Sequence, residues 1–222
     1  GVSLSFLIAF QQKVYFSKNR LIDDAEAHYV ANTRKLKFLR KLTLEQIKKK
    51  IINKPQAILR ELVLEIHKSS KTFVVVSSLR SKFKSTSLAY MAASYMQHDD
   101  IKIAIINFSK KNRSRKLDID TDKSKIFISV ENDGNISLLE PKGYLNPLDF
   151  LSQHKFFIHM KELSEKYDLI FLCADDKDSL SVGRAMQFQE VFHVMSVRTK
   201  HTKIESLTQI CKTLPIQGLL HD

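Results

Sequence analysis

The sequence predicts an α/β domain, a mainly parallel sheet flanked by helices, preceded by a helical N-terminal arm. Three observations carry this expectation. Short apolar runs rich in β-branched residues alternate with helical stretches of roughly 10–15 residues, the pattern of βαβ units. One of these runs, Thr72-Phe73-Val74-Val75-Val76-Ser77, leads through a basic loop into Lys84-Ser85-Thr86 at the start of a helix. The charge is lopsided: residues 1–71 hold 15 Lys/Arg against 6 Asp/Glu, a net +9 of the formal +12 for all 222 residues. The remainder is nearly balanced, so the basic excess belongs to the arm and not to the predicted sheet.

In chain order, Gly1 to Phe10 is a ten-residue stretch without charge, followed by Lys13, Lys18 and Arg20. Ten residues are too few to cross a bilayer, and a signal peptide carries its charges before its apolar stretch. The stretch reads equally well as a buried segment or as the end of a transmembrane helix with its basic cytoplasmic flank. Residues 21–42 read as a helix, acidic at Asp23, Asp24 and Glu26 and basic at Lys35, Lys37, Arg40 and Lys41, the order that suits a helix dipole. Thr43 to Gln46 has the form of a capping box opening a second short helix that ends in Lys48-Lys49-Lys50, before Pro55 interrupts. Ala57 to His67 spaces Ile58, Leu59, Leu62, Val63 and Ile66 along one side of a third.

The sheet region then begins. A strand over 72–77, a helix from Ser85 to Met96, a strand from Ile101 to Ile106 and two weaker strands at 126–130 and 136–139 follow in order. Pro147 suits the first position of a helix running to about Lys166. Asp168 to Cys173 and Val191 to Val197 read as strands. Thr202 to Glu205 reads as a capping box for a helix ending near Thr213, and Ile216 to Leu220 as a closing strand. Ligands of such a sheet bind outside the carboxyl ends of its strands.

Composition excludes several classes of function. Cys173 and Cys211 form no CxxC pair, which argues against a disulfide framework or a zinc site, and Cys173 ends an apolar run as a buried thiol would. His154 and His159, five apart, do not share a helical face, so no metal is expected there. The basic arm lacks interleaved aromatics for stacking bases, which sets nucleic acid aside as a partner.

The loop between the first central strand and its helix is where chemistry is expected. A phosphate-binding loop needs bare backbone amides curled around an anion, with a lysine and a hydroxyl at the helix start. Lys84, Ser85 and Thr86 supply the latter, but the two glycine positions hold Ser78 and Phe83. A Cβ at the second position disfavours the positive φ that glycine accepts, and the ring crowds the nest.

From Val75 to Thr86, through Asn107, Ser109, Gly143, Asn146-Pro147, Tyr167-Asp168 and Cys173 to Gly218-Leu219-Leu220-His221-Asp222, these motifs resemble the cytoplasmic domain of bacterial tyrosine kinases fused to polysaccharide co-polymerases. That family belongs to the deviant Walker A class with the MinD- and ParA-type ATPases. The resemblance covers residues 55–222 and implies a P-loop kinase-like fold for them. Residues 1–54 then become the end of a transmembrane helix and a basic juxtamembrane arm, on the cytoplasmic face of the inner membrane and against anionic lipid.

Carried over residue by residue, the family's metal-binding and catalytic aspartates fall on Asn107, Ser109 and Cys173. No carboxylate stands at any of the three, so no catalytic residue is assigned and Lys84, Ser85 and Thr86 become a vestigial nucleotide site. Asp175 and Asp176 lie just beyond the strand, where a solvated loop pair is the plain expectation. The family's oligomerisation helix keeps only Arg60, a possible oligomer contact, although a homo-oligomer through the membrane region is still expected.

The resemblance implies a catalytically inactive domain in surface-polysaccharide chain-length control and export, with no cofactor. Its partners would be its own transmembrane and periplasmic region and the polymerase and export machinery. The alternatives are an active ATP- and Mg²⁺-using tyrosine autokinase, or a membrane-associated ATPase of the MinD or ParA type.

Overall fold

The computed structural model describes Leu21, Gln46 and residues 28–32, 57–109, 127–141, 147–176, 178–187, 189–198 and 201–221. Calls on residues 1–10, on most of the arm, and on Gly143 and Asn146 lie outside them. The eight described strands form one sheet, in the order β1-β8-β7-β2-β6-β3-β5-β4. They are β1 (His28–Asn32), β2 (Phe73–Leu79), β3 (Ile103–Asn107), β4 (Phe127–Asp133), β5 (Ile136–Pro141), β6 (Leu169–Asp175), β7 (Val191–Val197) and β8 (Gly218–His221). Every neighbouring pair is parallel except the β4–β5 hairpin. The α/β, mainly parallel expectation therefore stands.

The helices are α1 (Ala57–Ser69), α2 (Ser85–Tyr95), α3 (Pro147–Leu151), α4 (His154–Lys166), α5 (Asp178–Met186) and α6 (Ile204–Thr213). Alternation along the strands sorts the core into two layers. Val74 and Val76, Ile103 and Ile105, and Phe171 and Cys173 face α1 and α2. Val75, Ala104 and Ile106, and Ile170 and Leu172 face the opposite layer, with Phe150, Phe156 and Met160 from α3 and α4 and Val182 and Met186 from α5. Strand β2 lies between β6 and β7, while α2 carries the chain over β6 to β3. The loop after β2 thus stands at a central switch point on the carboxyl edge.

Four local expectations are corrected. Residues 21–42 are not one helix, because His28–Asn32 is a strand parallel to β8, with Tyr29 opposite Leu219. The exposed backbone of an edge strand is satisfied by pairing, and that gain overrides a favourable charge order.

The helix expected through Lys166 is two helices, broken at Ser152 and Gln153. Six residues of straight helix would place Phe150 and Phe156 roughly 240° apart. The break buries both rings edge to face at 5.5 Å, and the Ser152 hydroxyl closes α3 by donating to the Asp149 carbonyl. Thr202 does not cap α6. Its hydroxyl donates instead to the Leu79 carbonyl at 3.1 Å, tying the α6 entry to the end of β2. Finally, α5 has no counterpart in the sequence expectation, since Ser179, Ser181 and Gly183 dilute its helical signal. The helix is nevertheless fixed by packing, with Val182 and Met186 buried in the core.

Candidate functional site: the loop after strand β2

The loop departs from a phosphate cradle first in its backbone. Arg80, with φ 53°, takes the left-handed conformation, whereas Phe83 does not. Phe83 therefore avoids the strain expected of a residue on a glycine position, and its ring is 2% exposed within the α1–α2 layer. The Ser78 hydroxyl donates to the Phe83 carbonyl across the loop, so the residues on the motif's two glycine positions hold each other. Ser81 Oγ accepts from the Phe83 amide at 3.1 Å and shares a 2.8 Å hydrogen bond with Ser196 Oγ of β7.

Lys84 precedes α2 in extended conformation and is exposed. Ser85 and Thr86 open that helix and are buried. The structure thus brings together Lys84, Ser85 and Thr86, with Asn107 and Ser109 at the end of β3. Thr86 Oγ1 donates to Asn107 Oδ1 at 3.2 Å, and the same oxygen accepts the Ser109 amide at 3.0 Å. Asn107 Nδ2 reaches Glu140 at 3.4 Å. Cys173 is fully buried, and burial pushes its thiol pKa well up, with the Asp175 carboxylate adding to the rise. It is an inert core thiol at the position where the resemblance puts a metal-binding carboxylate. Arg60 lies apart from this cluster, exposed on α1.

The solvated pair expected at Asp175 and Asp176 is found only in part: Asp176 is exposed in the turn after β6, whereas Asp175 is half-buried at the strand end. Asp175 ends β6 two residues after Cys173, and the two-residue period of a strand carries its side chain to the same side of the sheet. Its Oδ1 accepts the Ser85 amide at 2.8 Å and its Oδ2 the Ser109 hydroxyl at 3.0 Å. Asp176, with φ 49°, accepts the Arg80 amide at 2.9 Å and donates its own amide to the Ser78 carbonyl. These pairs lie 90 and 96 residues apart, and no local pattern announces them.

Beneath the loop, His193 of β7 is fully buried. Its Nε2 accepts from Ser77 Oγ at 2.9 Å and its Nδ1 lies 3.2 Å from the Leu214 carbonyl, partners that define a neutral imidazole with the proton on Nδ1. Burial lowers its pKa from 6.5 to about 4, against a smaller upward pull from the Leu214 and Pro215 carbonyls. Sequence reasoning gave His193 no role, since a lone histidine in an apolar strand carries no distinctive signal.

A central parallel sheet, a loop leaving β2 at the switch point and a helix opened by Lys84-Ser85-Thr86 together define a P-loop NTPase-like fold. No family model and no curated protein matches the sequence. Solved structures do match, among them tyrosine kinase domains and a chimerical protein. The BceF tyrosine kinase domain aligns over 94% of this chain and 90% of its own, with a TM-score of 0.55 at 11% identity. The chimerical protein CapA2B2 aligns over 92% and 98%, with a TM-score of 0.63 at 11% identity. The kinase domain of Escherichia coli tyrosine kinase ETK aligns over 75% and 72%, with a TM-score of 0.53 at 14% identity. At these identities the likeness is one of fold.

Proposed function

We infer that this chain is a catalytically inactive, kinase-like domain of a polysaccharide co-polymerase, on the cytoplasmic face of the inner membrane. It braces or docks the machinery that controls the length and export of a surface polysaccharide, and transfers no phosphate. Phosphoryl transfer is chiefly positioning and charge neutralisation, with carboxylates holding Mg²⁺ and activating the acceptor. The observation that carries the reading is the neutral set at Asn107, Ser109 and Cys173. The first two are engaged by Thr86, Glu140 and Asp175, and the third is sealed in the core.

The membrane setting rests on the basic arm, its homo-oligomeric assembly on the family resemblance, and its contact with anionic lipid on the net +9 of residues 1–71. Nucleic acid and a resident cofactor have no place in this reading.

An active autokinase is the second reading, favoured by the retention of Lys84, Ser85 and Thr86 at the start of α2. A MinD- or ParA-type ATPase rests on the same residues. Calorimetric titration with Mg²⁺-ATP, paired with a phosphate-release assay on the chain and its Lys84→Ala variant, separates them from the inactive domain. The expected result is no turnover in either protein. Micromolar Mg²⁺-ATP binding with turnover that Lys84→Ala abolishes overturns the inactive reading.

A further inference from the structure

We propose that Asp175 and Asp176 close the loop as built-in anions: their carboxylates occupy, from within the chain, the amides to which a phosphate would bind, and removing them opens an oxyanion site. The proposal rests on the inactive reading above and supplies a physical cause for the exclusion of phosphate.

Helix starts and loop amides attract anions because their N–H groups lack helical partners and share a positive dipole end. Here the chain supplies the anion at both ends of the loop. Asp176 takes the Arg80 amide at the loop entrance and Asp175 takes the Ser85 amide at the first residue of α2. Between them the Phe83 amide is held by Ser81.

A second feature points to a site built for more than a carboxylate. Ser85 Oγ is fully buried at the same helix start and has no hydrogen-bond partner among the described residues. A tetrahedral oxyanion on the Ser85 amide would give that hydroxyl an acceptor, which Asp175 does not. Asp175 excludes the oxyanion in two ways: its Oδ1 stands on the amide, and its charge repels a second anion at contact distance. Its anchorage explains why it stays, since Oδ2 is held by Ser109 just past the end of the neighbouring strand β3.

The test uses inorganic pyrophosphate as the probe, followed by phosphorus NMR and calorimetry at fixed ionic strength, on the wild-type chain and on Asp175→Ala, Asp175→Asn and Asp175→Ala/Asp176→Ala. The wild type is expected to show no saturable binding. Asp175→Ala gains affinity by about tenfold or more, and the double variant gains further. Asp175→Asn keeps an acceptor for Ser85 but removes the charge, so it gains less than Asp175→Ala. Saturable binding by the wild type overturns the proposal, as does a folded Asp175→Ala that binds no better than wild type.

If the alanine variants do not fold, two measurements still decide. One is pyrophosphate binding by Asp175→Asn, which is expected to exceed that of wild type. The other is the wild-type amide resonances of Arg80 and Ser85, which are expected to be protected from exchange and unmoved by pyrophosphate. Wild-type shifts on titration overturn the proposal. Failure here with no ATP turnover leaves the inactive reading standing, whereas ATP turnover by the wild type defeats that reading independently.

Discussion

Strand β2 has two regions of opposite character. Its middle, Val74 to Val76, packs into the apolar clusters of both layers. Its end, from Ser77 through the loop to Ser85, is held by polar contacts to β7 and to Asp175 and Asp176 at the end of β6. The middle is what any central parallel strand must be, because a segment buried on both faces keeps its stability through packing. The end is where the loop differs from the phosphate-binding pattern, and there Ser78 and Phe83, on its two glycine positions, hydrogen-bond to each other. Apolar packing holds the frame, while the polar edge is held by hydrogen bonds within the chain.

Phe83 belongs to both regions, so changing it should have the largest effect. Restoring a glycine at this position would return the loop toward the phosphate-binding pattern but remove a ring that is 2% exposed. Phe83→Gly is expected to cost about 3–5 kcal/mol of stability in urea denaturation, from lost burial, the cavity left behind and added backbone freedom. It should confer no Mg²⁺-ATP binding, since Asp175 and Asp176 still occupy the Ser85 and Arg80 amides. A near-neutral stability change accompanied by nucleotide binding would break the contrast between frame and edge.

The next effect is on pH dependence. The pKa of His193 in the folded chain, about 4, lies below its ordinary 6.5, so between those values the unfolded chain binds the extra proton. Its contribution is therefore complete above about pH 6.5 and is lost as pH falls toward about 4, a swing of roughly 3 kcal/mol. Urea midpoints at pH 7 and pH 4.5 should differ markedly for the wild type. The difference should shrink in His193→Asn, which cannot take up a proton there. An unchanged pH difference in the variant would mean that other groups carry the acid sensitivity.

These regions also differ in how much of each the sequence disclosed. Strands β2, β3, β6 and β7 were legible because a doubly buried parallel strand is a run of β-branched and large apolar residues. Lys84, Ser85, Thr86, Ser78 and Phe83 were legible as positions because they sit at fixed offsets from the end of β2. The role of Asp175 was not legible, since its meaning depends on Ser85 and Ser109, which only the topology brings to it. Edge strand β1 and helix α5 escaped for a related reason: β1 is made by pairing with β8, and α5 by burial of Val182 and Met186 that outweighs its weak propensity.

The smallest expected effect falls on the residue whose sequence promised most. In a working phosphate loop the hydroxyl at the start of α2 has a ligand to serve, and its removal is felt. Ser85 Oγ is instead buried without a partner among the described residues, a state that itself costs stability because the hydroxyl has left water for nothing. Ser85→Ala removes that penalty, keeps the backbone amide on which Asp175 rests, and leaves a methyl in an already closed space. The variant should match or exceed the wild type by about 1 kcal/mol in urea denaturation. A loss of more than about 2 kcal/mol would mean that the hydroxyl holds a bond inside the folded protein, and that the edge keeps more of its original polar wiring than the Asp175 contact implies.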